Sequence, residues 1–215
     1  MKRFRFLFAP LLLACFLIPA LSALPARAAG PAPVVVMETS MGRIMVMLSP
    51  KDAPKTVANF LKYVNAGFYD NTIFHRVINK GKGDQSMAVV QGGGYTFPVT
   101  RKRPLFPPIP NEAATGLMNV KGTIAMARGN APDSATCEFF FNVRDNPNFD
   151  YHQTSSLTGA DSYSQKTTAG YCAFGKVIRG MDVLEKISEV RTARANRMED
   201  VPVNPVILKK AYVAR

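Results

Sequence analysis

Alternation of apolar and polar positions dominates the chain from residue 34 onward. Val34-Val35-Val36-Met37 and Arg43-Ile44-Met45-Val46-Met47-Leu48 flank Thr39-Ser40-Met41-Gly42, a pattern that predicts a β-hairpin with Gly42 at its turn. The period then changes. Val57, Phe60, Leu61 and Val64 recur at helical spacing, with Asp52 placed to cap the helix, Pro54 in its first turn and Gly67 ending it. Asp70-Asn71 is a turn into a strand over Thr72–Ile78, and another short strand precedes Gln91. Further strands are predicted at Thr123–Ala127, Glu138–Val143, Tyr171–Val177 and Val206–Val213. A second helix is expected over Met181–Ser188, with Val183, Leu184 and Ile187 on one face.

Between these elements lie two long connections. From Gly92 to Val120 periodicity gives way to three consecutive glycines and Pro98, Pro104, Pro107, Pro108 and Pro110, which predicts an ordered loop laid over the domain. Gln153 to Gly170 is polar and rich in Ser and Thr, and reads as a mobile loop. About eight short strands with two helices, no internal repeat and no second core predict a mostly β fold: a closed eight-stranded antiparallel barrel capped by the two α-helices.

The first thirty residues follow other rules. A basic start, Lys2-Arg3-Phe4-Arg5, leads into an apolar run from Phe6 to Leu21 and then Ala26-Arg27-Ala28, whose small residues suit a signal peptidase. Residues 1–28 are therefore expected to be a signal peptide, and 29–215 a single domain exported to the periplasm. A transmembrane anchor is the competing reading, but the run is short and carries Pro10 and Pro19, so no stable membrane insertion is expected. Lipoprotein processing at Cys15 is a further alternative; the residues after it stay apolar through Leu21, as in a continuing signal core.

Without the leader, 23 basic side chains face 15 acidic ones, a balance of +8. The one dense cluster, Arg101-Lys102-Arg103, reads as a solvated basic loop or as loose attraction to anionic surfaces, and no nucleic-acid partner is expected. The remaining cysteines, Cys137 and Cys172, lie near the start of two strands expected to run antiparallel. That arrangement would hold them at opposite ends of the pair, beyond the ~7 Å that a disulfide tolerates, and predicts two free thiols.

Familiar catalytic signatures are missing: there is no G-x-S-x-G, C-x-x-C, H-E-x-x-H or P-loop, and the two histidines, His75 and His152, are too few for most metal sites. No metal or other cofactor is expected. Gly92-Gly93-Gly94 could cradle a phosphate, but no G-K-[ST] follows, and glycine bulging beside a strand is commoner. Arg76 stands in an otherwise apolar strand, where a charge is costly unless paired or useful; by periodicity alone it reads as an outward-facing strand arginine.

Several segments carry more than their periodicity. They are Phe74-His75-Arg76-Val77-Ile78, then, separated from Arg76 by fourteen residues, the Gln of Val89-Val90-Gln91-Gly92-Gly93-Gly94, then Gly122-Thr123-Ile124-Ala125-Met126-Ala127-Arg128. Ser134-Ala135-Thr136-Cys137-Glu138-Phe139-Phe140-Phe141-Asn142-Val143 and Phe174-Gly175-Lys176-Val177 complete the series. Together, in this order, they resemble the cyclophilin family of peptidyl-prolyl isomerases, from about Val34 to Val213.

The resemblance implies a monomeric enzyme that isomerises X–Pro bonds in proline-containing polypeptides without a cofactor. It makes Arg76 the catalytic cation, His75 a structural hydrogen-bonder beside it and Gln91 the group that orients the guanidinium. Phe140 becomes a wall of the proline pocket with Val89 beside it. Ala127 and Arg128 would meet the substrate backbone, Arg128 through its main chain where the family has Asn. Tyr171 takes a position often held by His, near the proline ring.

The chain departs from the family pattern in four places. The segment after Arg76 is longer, through residues 79–85, and the usual aromatic pocket residue becomes Ala88, or Met87 after a one-residue slip. Glu138 replaces a common Gln and is expected to pair with Arg76. Asn148-Phe149-Asp150 stands where the family shows an aromatic, Leu and Asp, so Phe149 is expected to refill part of the pocket. No Trp is present, so the residue associated with cyclosporin binding in many relatives is lacking.

Overall fold

The computed structural model describes residues 31–80, 87–115, 117–158 and 162–214. The leader, residues 1–28, and residues 81–85 of the extended segment lie outside them.

The first strand, β1 (Val34–Thr39), turns into β2 (Gly42–Leu48), and α1 (Pro54–Asn65) follows. Gly42 adopts φ +139°, and a Cβ there would lie 2.7 Å from Val183 Cγ2, so both the turn and the packing require glycine. The helix is capped from a distance. Asp52 does not cap it; Glu112 accepts the backbone N–H groups of Lys55 (3.1 Å) and Thr56 (2.8 Å) and the Thr56 hydroxyl (2.8 Å). The carboxylate thus satisfies donors that the first helical turn leaves open and lies at the positive end of its dipole.

Next come β3 (Thr72–Ile73), β4 (Arg76–Lys80), β5 (Met87–Gly92), β6 (Tyr95–Thr96) and β7 (Thr100–Arg101). The single strand expected over Thr72–Ile78 is broken at Phe74-His75. Its first part pairs with the C-terminal strand and its second with β5. Then follow β8 (Thr123–Met126), β9 (Phe139–Asn142), β10 (His152–Thr158), β11 (Ser162–Thr168) and β12 (Ala173–Arg179). Helix α2 (Met181–Ser188), the hairpin β13 (Thr192–Ala195) and β14 (Met198–Pro202), and β15 (Ile207–Val213) end the chain. Residues 153–158 and 162–168, within the segment expected as a loop, instead belong to the β10–β11 ladder, with His152 opposite Thr168 and Thr158 opposite Ser162. Their Thr-rich sequence suits extended pairing.

The expected closed barrel is not formed. Eleven strands make one curled antiparallel sheet in the order β4-β5-β9-β8-β12-β2-β1-β15-β3-β6-β7, a half-barrel whose end strands β4 and β7 each pair on one side only. Two features hold it open: the break at Phe74-His75, and the short strands β6 and β7, which extend the far edge instead of meeting β4. The mostly β character and both helices stand as expected. α2 coincides with its predicted range and buries Val183, Leu184 and Ile187.

The core lies between the sheet and α1. Phe60, Tyr69, Phe139 and Phe174 are fully buried, with Phe60 contacting the other three rings at centroid distances of 5.1–5.7 Å. The proline-rich loop is fastened over this core, as expected. Lys102 N donates to Gly94 O at 2.8 Å, and Ile109 N to Ala135 O at 3.0 Å.

Both cysteines are free and buried. The thiols follow the expectation, although the ground for it does not. β9 and β12 run parallel, not antiparallel, because β8 lies between them and is antiparallel to both. Two inter-strand spacings, about 9–10 Å, separate them, too far for a disulfide. Burial raises both thiols above their ordinary range, Cys172 to about 11, so neither is a reactive thiolate at neutral pH.

Candidate active site

Strand alternation gives the β4-β5-β9-β8-β12 half of the sheet two different faces. Val77, Val90, Phe141, Ile124 and Phe174 point into the main core. Ile78, Val89, Phe140, Ala125 and Ala173 form a second, smaller apolar cluster on the other side. The register sets them in rows. Arg76 lies opposite Gln91, Gln91 opposite Phe140, Phe140 opposite Ala125 and Ala125 opposite Ala173. The next row begins with Ile78 opposite Val89. Separated by fourteen residues in sequence, Arg76 and Gln91 are cross-strand neighbours.

This face floors a cavity of about 130 Å³. Arg76, Gln91, Val89 and Phe140 line it from the sheet, and Ala127, Arg128, Phe149 and Tyr171 line it from the connecting segments. Eight of the ten candidate residues therefore meet in one place. Phe140, Phe149 and Tyr171 form its aromatic wall, with ring centroids 5.1–5.6 Å apart and mostly edge-on. Two further residues belong to it, Ile78 and Met87. Ile78 was legible, since it lies two positions past Arg76 on the same strand. Met87 settles the one-residue slip: it lines the cavity, while Ala88 is fully buried in the main core.

The remaining two candidates, His75 and Glu138, do not line the cavity. His75 sits in the β3–β4 break with its ring 4.3 Å from that of Tyr95 and is 1% exposed. Its Nε2 lies 3.3 Å from Glu138 Oε2, and Gln91 Nε2 donates to the same oxygen at 3.0 Å. Glu138 therefore pairs with His75 and Gln91, with Arg101 at 4.0 Å, and not with Arg76 as expected. Burial alone would raise this carboxyl. The His75 contact outweighs it, with help from Gln91 and Arg101, and holds the group below its usual range. Among the described residues Arg76 has no ion pair.

Gly93 and Gly94 make room for this arrangement. A Cβ on Gly94 would lie 2.5 Å from Glu138 Cγ, and one on Gly93 would lie 2.8 Å from the Cys137 carbonyl. Side chains there would push Glu138 off Gln91.

Glu138→Gln is expected to leave kcat/KM on an X–Pro peptide within about threefold of the parent, because its carbonyl can still accept from Gln91. A large gain would show that the carboxylate restrains Arg76 after all. The parent pair also has an acid signature. With a folded-state pKa below the ordinary value of 4.5, its stabilisation is complete above that value and is lost as pH falls through the depressed one.

The rim is held by backbone bonds. Ala127 N donates to Glu138 O at 2.9 Å, so its N–H is already used and only its carbonyl could meet a substrate. Asn119, 1% exposed and without any sequence signature, ties the aromatic wall together. Its Nδ2 reaches Phe149 O and Tyr171 O, both at 3.1 Å, and Asp150 Oδ1 at 2.9 Å, while its Oδ1 accepts from Asn142 at 3.1 Å. Among the described residues no cluster of three His, Cys, Asp or Glu side chains could hold a metal, and no helix is long and apolar enough to cross a membrane.

Chemically, the cavity offers two guanidinium groups, a neutral amide and an aromatic wall, with no nucleophile beside a base. A second cavity, about 200 Å³, lies between Phe97-Pro98-Val99 and Val201-Pro202-Val203. Its lining is entirely apolar side chains, so it offers nothing to act on a polar bond.

Comparison with known proteins agrees with this chemistry. The family model of cyclophilin-type peptidyl-prolyl cis-trans isomerases matches residues 34–213. Peptidyl-prolyl cis-trans isomerase A of Dickeya dadantii is 41% identical, covering 89% of this chain and 90% of the relative. Peptidyl-prolyl cis-trans isomerase B of Escherichia coli is 42% identical over 84% of this chain and 99% of its own. In fold, the chain resembles a Cryptosporidium parvum cyclophilin, solved in the presence of the dipeptide Ala-Pro, with a TM-score of 0.61 at 21% identity, covering 85% of this chain and 99% of that one. The chain belongs to the cyclophilin-type peptidyl-prolyl cis-trans isomerases and is an enzyme.

Proposed function

We propose that this enzyme isomerises X–Pro bonds in exported polypeptides and that Arg76 supplies the main catalytic interaction. The observation that carries this reading is Arg76 beside an aromatic-walled apolar cavity, with no acid partner among the described residues.

An X–Pro amide isomerises slowly because its resonance must be broken. As the bond twists, the prolyl nitrogen becomes pyramidal and recovers a lone pair. A fixed guanidinium that donates to that nitrogen favours the twisted amide over either planar isomer. Gln91, opposite Arg76 and itself held by Glu138, positions the donor. Phe140, Phe149 and Tyr171 grip the prolyl ring so that the preceding residue rotates. Each tenfold gain in rate needs only about 1.4 kcal/mol of such preference.

The second reading is a module that binds proline segments without turnover; its grounds would be a shallow pocket at Ala88 and neutralisation of Arg76 by Glu138. Met87 lines the cavity in place of Ala88, and Glu138 faces His75, so neither ground remains. The Cryptosporidium cyclophilin, solved in the presence of Ala-Pro, supports a small prolyl ligand for this fold. A protease-coupled assay on an X–Pro peptide is the direct test: turnover supports the reading, and binding without acceleration overturns it.

Export is the remaining part of the proposal, with a periplasmic enzyme that works as a monomer. It rests on the basic start, apolar run and Ala26-Arg27-Ala28 of the leader. N-terminal sequencing of the exported protein is expected to find Ala29 at or near its start. A chain that retains residues before Ala26, or carries a lipid on Cys15, contradicts this.

A further inference from the structure

The cavity holds a second guanidinium that twisting an amide does not require. Arg128 Nε donates to Gly170 O at 3.0 Å, and its Nη1 donates to Gly129 O at 3.0 Å. The group also lies over the Tyr171 ring, 4.6 Å from its centroid. Three contacts therefore hold the half-buried side chain at the cavity rim before any ligand arrives. They occupy only part of its five N–H donors, and the remainder stay open.

No acidic side chain lines the cavity, and among the described residues Arg128 has no ion pair. Glu138, just ahead of β9, is engaged with His75 and Gln91. Bracing Gly170, Gly129 and the Tyr171 ring uses two N–H donors and one face of the guanidinium, and leaves its other donors for a ligand. A pre-oriented, partly desolvated cation with open donors is suited to a carboxylate, which it can bind through paired hydrogen bonds at little cost in side-chain entropy.

We propose that Arg128 forms a subsite for an acidic side chain, so that the enzyme prefers X–Pro bonds with Asp or Glu within a residue or two of the proline. This rests on the reading of the cavity as the X–Pro site. Arg76 cannot serve both ends: a carboxylate seated on it would occupy the donors that the prolyl nitrogen needs. The subsite is therefore Arg128's, and it acts on capture of the peptide, not on the twisting step.

The test uses pairs of X–Pro peptides identical except for Glu against Gln, placed once before X and once after Pro. With the parent protein at low salt, one placement is expected to give a Glu/Gln ratio in kcat/KM of roughly three- to tenfold, mostly in KM, shrinking as salt screens the pair. Arg128→Gln is expected to bring that ratio to about one, and Arg128→Lys to keep only part of it. A parent ratio near one at both placements, or a ratio that survives Arg128→Gln, overturns the subsite. The same ratios are read as dissociation constants by titration. Preference without turnover would overturn the isomerase mechanism and leave the subsite standing, whereas turnover without preference would do the reverse.

Discussion

Arg76→Ala is expected to lower kcat/KM for an X–Pro peptide by about two orders of magnitude or more, the usual loss when a donor aimed at developing charge is removed. Peptide affinity is expected to change only a few-fold, because Phe140, Phe149, Tyr171 and Met87 still enclose the prolyl ring. The fold is expected to persist. Arg76 is exposed at the start of β4, the end strand of the sheet, and has no ion pair among the described residues. Arg76→Lys is expected to recover little, since an ammonium on a flexible stem lacks the planar, oriented donors of a guanidinium. The measurement is steady-state kinetics beside a peptide titration for all three proteins. A variant as fast as the parent, or one in which rate and affinity fall together, contradicts a role confined to the twisted state.

Asn119→Ala carries the second large effect, this time on stability. Alanine removes the donors to the partly buried Phe149 O and Tyr171 O and the acceptor for the buried Asn142 Nδ2, although Phe149 O keeps the Tyr171 N–H and Asn142 keeps the Thr123 hydroxyl. Buried polar groups left without partners cost about 1–3 kcal/mol each where water cannot enter, and partial relaxation reduces the sum. A loss of about 2–4 kcal/mol is expected in urea unfolding. Activity should fall through KM, because the backbone that carries two of the three wall rings is then tied only by the Tyr171 N–H to Phe149 O bond at 2.7 Å. A loss under about 0.5 kcal/mol would show that neighbouring groups, or an admitted water, replace the asparagine without strain.

These effects differ in how visible they were along the chain. Arg76 and Gln91 are placed by the family resemblance of their flanking segments, since alternation alone reads Arg76 as an outward-facing strand arginine. Both helices could be read from apolar spacing, and Gly42 from its turn. Asn119 could not. Its side-chain partners lie 23 to 52 residues away, and an asparagine in a proline-rich loop looks like any turn residue. The same limit explains Asp52 and Glu112: local spacing nominated the nearby acid, while the folded chain brought a distant one to the helix end. Glu138 was assigned to Arg76 because both occupy the site strands, but its oxygens follow the break at Phe74-His75, which brings the imidazole to it first. The open sheet was hidden for a related reason. Short strands such as β6 and β7 are two residues long and carry no alternation to count.

The central claim is that this cavity accelerates rotation about an X–Pro bond with its own side chains alone. The most direct measurement is a chymotrypsin-coupled assay at low temperature, with purified residues 29–215 and a peptide bearing a mixture of cis and trans X–Pro. Chelator is added to remove adventitious metal. The slow phase, which reports cis-to-trans conversion, is predicted to speed up in proportion to enzyme concentration and to be unaffected by chelator. A slow phase that keeps its uncatalysed rate, while the same peptide demonstrably binds the cavity, would contradict the account.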